Sequence, residues 1–484
     1  MSAEPNDGGR RGASRIGLVL GPVLFVLLLL LPAPDGVSPE AWRVAAVALL
    51  MATWWVTEAI PIPATALLPL VLFPLLGITS IGAAAAPFAN PVIYLFMGGF
   101  LIAAALQRCG LHRRIALGIV RFGGASPRQL VGSFMVATAF ISMWVSNTAT
   151  VAMLLPMALS VLDLAEESAG NASPVHLAPA LLLGLAYGAN IGGLGTLIGT
   201  PPNALLAGFM SETYNLTIGF VQWMMVGVPL VIISLPIAWL LLTRVLHPVG
   251  GAPLAGGRDA LMSQARSLGA LSRAEWTVGI VTAMTAAAWL TQPLIARLAP
   301  GISDAGIAIA GALLLFLLPI DRQGERALTW EAAERLPWGV LVLFGGGLSL
   351  ANGIQETGLA TWIGDSMSAI GAWPSILVVI LVTTVIIFLT ELTSNTATAA
   401  AFLPVVSSLA VAVGAHPLLL AVPTALGASC AFMMPVATPP NAIVFGSGRI
   451  SMPQMMRAGI WLNLVFIVLI TAVAVWLAPR VLGG

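Results

Sequence analysis

Two short polar patterns each occur twice in an otherwise apolar chain. Ser146-Asn147-Thr148 and Ser394-Asn395-Thr396 both continue as SNTAT, and Thr200-Pro201-Pro202-Asn203-Ala204 returns as Thr438-Pro439-Pro440-Asn441-Ala442. Ser, Asn and Thr cap helix N-termini well and sit poorly in helix interiors, because their side chains compete for backbone hydrogen bonds. An SNT triplet between two apolar arms therefore marks a tip where one helix stops and the next begins. The following helix, over 149–162 or 397–411, offers unpaired N–H groups and a positive dipole end, which together suit an anion. Two such tips meeting near a membrane midplane can each hold one carboxylate. The prolines of the TPPN patterns break a span in the same way, and Gly192-Gly193-Leu194-Gly195 lets backbone approach a ligand closely. Carbonyls freed at such a break suit a cation.

No Lys or Arg lies within these motif segments. An anion bound there needs hydroxyls, amides, helix ends and co-bound cations, since burying a dianion uncompensated costs on the order of tens of kcal/mol. That is an electrostatic argument for coupling the anion to Na⁺. Glu391, four residues before Asn395, is an intramembrane acid and so a functional candidate. It serves equally well on paper as a hydrogen-bond acceptor that steadies its segment.

The elements that must position these residues follow from composition. The chain of 484 residues is 58% hydrophobic and 8% charged, with a mean hydropathy of +0.99. Charged residues make up about a quarter of ordinary soluble chains, so the pattern is that of an all-α polytopic membrane protein. A net charge of +1 lacks the basic footprint of a nucleic-acid binder. The two cysteines, Cys109 and Cys430, and four scattered histidines offer neither a disulfide framework nor a metal cluster. No nucleophile–base pair or phosphate loop is visible, which argues against an enzyme.

Hydropathy predicts about eleven transmembrane helices. Two further apolar stretches, 129–162 and 374–413, are interrupted by SNT. Each arm is shorter than the ~20 residues of a full crossing, so re-entrant hairpins fit better. All twenty basic residues are Arg. With a cytoplasmic N-terminal tail over 1–15, every one except Arg43, Arg297 and Arg480 falls on or near the cytoplasmic side, as the positive-inside rule requires. The first repeat half then spans 16–243, with its hairpin entering from the cytoplasm. A linker rich in Gly, Arg and Ser covers 244–274. The second half spans 275–484, with its hairpin entering from outside. Phe96-Met97-Gly98-Gly99 aligns with Phe344-Gly345-Gly346-Gly347, and Gln107-Arg108-Cys109-Gly110-Leu111 with Gln355-Glu356-Thr357-Gly358-Leu359, at the offset that relates the two SNT motifs. The repeats are therefore inverted, a common plan for secondary transporters. The stretch Arg108–Arg128 carries five arginines and reads as an interfacial amphipathic arm between scaffold and hairpin.

At these residues the chain resembles the divalent anion/sodium symporter family, the INDY-type dicarboxylate and citrate transporters. Trp55-Val56-Thr57-Glu58-Ala59-Ile60-Pro61, both SNTAT motifs and both TPPN motifs carry the resemblance, which spans roughly residues 40 to 480. It implies a homodimer in the cell membrane, each protomer holding a scaffold domain and a transport domain that moves as an elevator. It also implies Na⁺-coupled symport of a C4-type dicarboxylate (succinate, fumarate or malate), with Na⁺ as a co-transported ion. A Na⁺-independent dicarboxylate exchanger, or a carrier of citrate, sulfate or another anion, stays open within the same group; two intact SNT motifs favour a dicarboxylate over sulfate. Carried over by motif, Ser146, Asn147, Thr148, Ser394, Asn395, Thr396 and Thr438 contact the substrate carboxylates, Pro439 lines the site and Thr200 is its symmetry mate. One Na⁺ falls among Ser142, Ser146, Asn147 and the Gly199 carbonyl, with Gly195 a rival for the glycine position. The other falls among Thr390, Ser394, Asn395 and the Ala437 carbonyl.

Overall fold

A computed structural model describes residues 7–122, 124, 126–169, 176–250, 266–321, 323–366 and 373–483. Residues 251–265 of the linker expected over 244–274, with Arg258, lie outside the described residues, as does Arg322. The described chain is helical, apart from one isolated antiparallel bridge between Pro319 and Arg326.

Helix α1 (Asp7–Leu30) packs on α2 (Pro39–Thr57), and three short helices follow over 62–65, 68–75 and 81–85. The sequence reads 62–84 as one span; Pro69 in the first turn of the second short helix and Gly77, left-handed at a φ of 67°, divide it. The body of the first repeat runs through α3 (Pro91–Arg108), α4 (Leu111–Phe122), α5 (Pro127–Ser142), α6 (Asn147–Ala169), α7 (Leu177–Gly193), α8 (Pro201–Tyr214) and α9 (Phe220–Leu240). The second repeat opens with α10 (Arg273–Leu298) and α11 (Asp304–Leu317). It then matches the first helix for helix through α12 (Trp338–Glu356), α13 (Leu359–Ser366), α14 (Ser375–Thr390), α15 (Asn395–Ala412), α16 (Leu418–Ala428), α17 (Pro439–Phe445) and α18 (Met452–Ala472).

Local chemistry sets the boundaries. Asn90, Ser126, Ser272 and Ser451 cap α3, α5, α10 and α18 through their side chains, the last three within capping boxes completed by Gln129, Glu275 and Gln454. Gly110 and Gly358, which occupy equivalent places in the repeat, both have a left-handed backbone with φ of 75° and 79°. Each ends the long helix before it and starts the short arm α4 or α13. The arginine-rich arm is real and amphipathic. It buries Ala116, Leu117 and Val120, while Arg114 turns out to pair with Glu275 at 2.7 Å and to donate to the Leu268 and Gly269 carbonyls. The arm is thus tied to the start of α10.

Eight helices are long and apolar enough to cross a membrane among the described residues, with five shorter apolar helices beside them. Lipid-facing surface is evident on α10, where Ile280, Met284, Leu290 and Leu294 point outward, and on α1 at Ile16, Val19 and Val23. Such an outward apolar band is stable only in a bilayer. Helix α7 is the opposite case, with nearly every residue buried, as a helix apolar all round requires. It packs most closely on α5, and Gly192 shows how closely: a methyl group there would lie 2.2 Å from the Ala139 carbonyl oxygen.

Candidate functional site

The segments read as spans at 178–208 and 417–446 are each broken in the middle. Helix α7 stops at Gly193 and α8 starts at Pro201; α16 stops at Ala428 and α17 starts at Pro439. Opposite these gaps stand two further breaks, at 143–146 between α5 and α6 and at 391–394 between α14 and α15. All four breaks face one cavity of about 1640 Å³. Its wall includes Ser146, Asn147, Thr148, Ser394, Asn395, Thr396, Thr200, Thr438 and Pro439, so every residue singled out for substrate contact comes together there. Gly199 and Ala437 line it as well. Ser142 and Thr390 sit behind the wall, fully buried.

The helix starts have the electrostatics expected of them. Thr150 N–H donates to Ser146 O and Thr398 N–H to Ser394 O, which leaves the amides of Asn147, Thr148, Asn395 and Thr396 without an intrahelical acceptor. Ser146 Oγ takes the Ala149 N–H at 3.3 Å. At the TPPN breaks, Asn203 Nδ2 donates to the Gly193 and Thr196 carbonyls at 3.0 and 2.8 Å. Asn441 Nδ2 does the same for Ala431 and Met434, both at 3.1 Å. These asparagines stitch the unwound backbone that precedes each helix and so keep it open without water.

Two of the oxygens expected to face the first cation are unpartnered. Ser142 Oγ and Asn147 Oδ1 are buried and meet no hydrogen-bond partner, which is costly unless something positive faces them. A methyl group on Gly193 would meet Asn147 Oδ1 at 3.0 Å and the Gly199 carbonyl oxygen at 3.1 Å, so amide and carbonyl share one small recess. Gly195, the rival, lies against the Met143 side chain instead. The second position is differently prepared. Thr390 Oγ1 is 2.9 Å from Asn395 Oδ1 and 2.7 Å from the Ala428 carbonyl, so its one hydrogen is shared between two acceptors while its own lone pairs stay free.

Glu391 has a definite place in this arrangement. It is 3% exposed and does not line the cavity. Its Oε1 accepts from the N–H of Phe432 and Met433 at 2.8 and 2.9 Å and from Asn463 Nδ2 at 2.8 Å; Oε2 accepts from Met433 and Met434 at 3.0 Å. The carboxylate thus fills a nest of successive backbone N–H groups and braces the unwound stretch that ends at Ala437. Of the two roles open to it in the sequence, the geometry gives it that of structural acceptor.

The sequence reading missed three features. Asn190 of α7 lines the cavity and donates to Thr438 Oγ1 at 3.2 Å. Thr393 also lines it, 2.5 Å from Thr398 Oγ1. The third feature is charge: the motif segments hold no basic residue, yet Arg15, Arg108 and Arg335 of other elements stand on the cavity wall, with Glu58 and Glu331. An asparagine inside a nearly all-apolar helix was the available signal for Asn190.

Solved structures share the overall arrangement. The YdaH transporter of Alcanivorax borkumensis aligns with a TM-score of 0.55 at 15% identity, over 97% of both chains. The antimetabolite efflux pump MtrF of Neisseria gonorrhoeae aligns with a TM-score of 0.56 at 11% identity, again over 97% of both. At such identities the likeness concerns the fold. Sequence relatives are nearer. A protein of Staphylococcus saprophyticus described as the sodium-dependent dicarboxylate transporter SdcS is 44% identical over 477 residues, covering 97% of this chain and 92% of the relative. The same figures hold for the protein of that name in Staphylococcus aureus. The family model described as the sodium:sulfate symporter transmembrane region matches residues 13–482, so this multi-pass membrane protein belongs to the sodium:sulfate symporter family.

Proposed function

We propose that the chain is a secondary active transporter that carries a C4-type dicarboxylate together with Na⁺. The observation that carries this reading is the convergence of four polar helix breaks on one cavity, with two unpartnered oxygens at the first cation position. Each SNT tip takes one carboxylate, through the amides of Asn147 and Thr148 on one side and Asn395 and Thr396 on the other, with Ser146 and Ser394 hydroxyls beside them. Thr438 and Thr200 stand across from the tips, and Pro439 closes the wall. One Na⁺ is held by Ser142, Ser146, Asn147 and the Gly199 carbonyl. The second is held by Thr390, Ser394, Asn395 and the Ala437 carbonyl. The printed name of the SdcS relatives agrees with this substrate and ion.

The need for compensating charge supports symport over exchange. A dianion among neutral groups lacks compensation, and two Na⁺ supply it next to the tips, whereas the wall arginines Arg15, Arg108 and Arg335 are offset by Glu58 and Glu331 and by the Arg108–Glu325 pair. Those arginines belong to the end expected to be cytoplasmic, so the described state is open inward. Glu212 of α8 supports the complementary closure. It accepts from Asn90 Nδ2 at 2.8 Å and Asn352 Nδ2 at 3.2 Å, joining the mobile part to α3 and α12 at the far end. Transport then proceeds by an elevator movement of the hairpins 129–162 and 374–413 with the broken helices, in a homodimer of the cell membrane with its N-terminus cytoplasmic.

The test is radiolabelled succinate uptake into proteoliposomes under an inward Na⁺ gradient, an equal choline gradient, and choline with succinate preloaded. Uptake that requires Na⁺ supports symport. Uptake that ignores Na⁺ but needs preloaded succinate makes the protein an exchanger, and sulfate uptake without succinate uptake replaces the substrate class. Replacing both Asn147 and Asn395 by Ala should abolish transport while the protein still inserts; normal uptake by that variant removes the site assignment.

A further inference from the structure

The binding cavity is built from two repeats, yet one polar residue on its wall has no equal in the other half. Each repeat sends a side chain from the end of its first broken helix across to the TPPN threonine of the other. Asn190 of α7 donates to Thr438 Oγ1 at 3.2 Å, and Ser429, just past α16, stands with its Oγ 3.4 Å from Thr200 Oγ1. The exchange is symmetric in plan and asymmetric in chemistry. Asn190 reaches the cavity, whereas Ser429 is not on its wall. The longer side chain also touches Asn441 Oδ1 at 3.5 Å. In the other half the equivalent Asn203 Oδ1 meets no partner, because a serine is too short to reach it.

The orientation of the Asn190 amide follows from its neighbours. Asn441 Nδ2 is committed to two carbonyls, Ala431 and Met434, and carbonyls only accept. Asn441 Oδ1 must therefore face a donor. Thr438 Oγ1 already accepts the Asn441 N–H at 3.3 Å. Both hydrogens of Asn190 Nδ2 are spent on these two oxygens, which leaves Oδ1 as the group that Asn190 offers to the cavity. The side chain is 2% exposed, so its rotamer is fixed by packing.

We infer that Asn190 is a specificity-determining residue that accepts a hydrogen bond from a hydroxyl on the carbon backbone of the bound dicarboxylate. This rests on the dicarboxylate reading above. The surroundings of the tips are donors suited to carboxylates; an acceptor on the cavity wall repels a carboxylate and selects a neutral donor. The class of ligand favoured is a 2-hydroxy C4 dicarboxylate, with malate as the probe. Discrimination by a buried polar group is strong because the unsubstituted analogue leaves that group unpaired.

The experiment compares succinate, malate and 2-methoxysuccinate as competitors of labelled succinate uptake in proteoliposomes. Wild-type protein should take malate about tenfold better than its O-methyl ether, the worth of roughly one hydrogen bond. In Asn190→Ala and Asn190→Ser the ratio of kcat/KM for malate over succinate should fall about tenfold, carried by KM. A defect of folding or of elevator movement would lower both substrates together and leave the ratio alone. An unchanged ratio in both variants, or equal competition by malate and its ether in wild type, overturns the inference while the functional reading stands. If wild-type protein moves no dicarboxylate, that reading fails and this inference with it.

Discussion

Replacing Glu391 tests how the site is held. In Glu391→Ala the N–H groups of Phe432, Met433 and Met434 and the Asn463 amide all lose their acceptor in a buried position. Each unsatisfied group costs about 1–3 kcal/mol; backbone relaxation recovers part of the sum, leaving a net loss of about 3–5 kcal/mol. Glu391→Gln is milder. One oxygen remains as acceptor, and the new NH₂ confronts one or two N–H donors, for about 1–3 kcal/mol. Unfolding in mixed detergent micelles, followed by tryptophan emission over an SDS series, reads both values. The unwound stretch carries Ala437, so the half-saturating Na⁺ concentration should rise in Glu391→Gln more than the KM for succinate at saturating Na⁺. The reasoning is refuted if Glu391→Ala unfolds within about 1 kcal/mol of wild type, or if Gln costs as much as Ala.

Other outcomes follow from the same coordinates. Gly192→Ala pushes a methyl group onto the Ala139 carbonyl oxygen and should cost at least ~2 kcal/mol in the same unfolding assay, since backbone cannot step aside as a side chain can. Glu212→Ala frees Asn90 and Asn352 and should lower the inward-open population. Thr148→Cys, in a background without Cys109, should then react about tenfold more slowly with a membrane-impermeant thiol reagent from the arginine side, at roughly 1.5–3 kcal/mol per charged hydrogen bond. His247, just beyond α9, has its imidazole pushed down from 6.5 to about 4 by burial, with His176 and Arg457 adding like charge. The unfolded chain binds a proton between those values and the folded one does not, so stability should fall as pH drops from about 6.5 towards 4. His247→Gln should flatten that part of a melting-temperature profile.

What could be read in advance depended on repetition. The SNT and TPPN motifs, and the turn glycines Gly110 and Gly358, were visible because each occurs twice in an equivalent place, and a helix break leaves polar residues where apolar ones are expected. The TPPN prolines announced a break within 178–208 and within 417–446, but not its length, because Leu, Ile, Phe and Met fill 194–200 and 429–438 about as densely as they fill helices. Hydropathy measures burial and is blind to hydrogen-bond direction. The part played by Glu391 was out of reach for another reason: its donors lie some forty residues along the chain. Asn190 bonds to a threonine in the opposite half, and a single asparagine carries no spacing from which such a partner can be deduced.

The unequal preparation of the two cation positions has a consequence for the order of events in a transport cycle. At the first, Ser142 Oγ and Asn147 Oδ1 are already bare; an arriving ion breaks no protein bond and relieves an existing penalty. At the second, Asn395 Oδ1 already faces the Thr390 hydroxyl, so an arriving ion relieves a smaller penalty there. Under the symport proposed above, the ion at the first SNT tip would then precede the one at the second, and the partly loaded intermediate would hold a charge on one side of the cavity only.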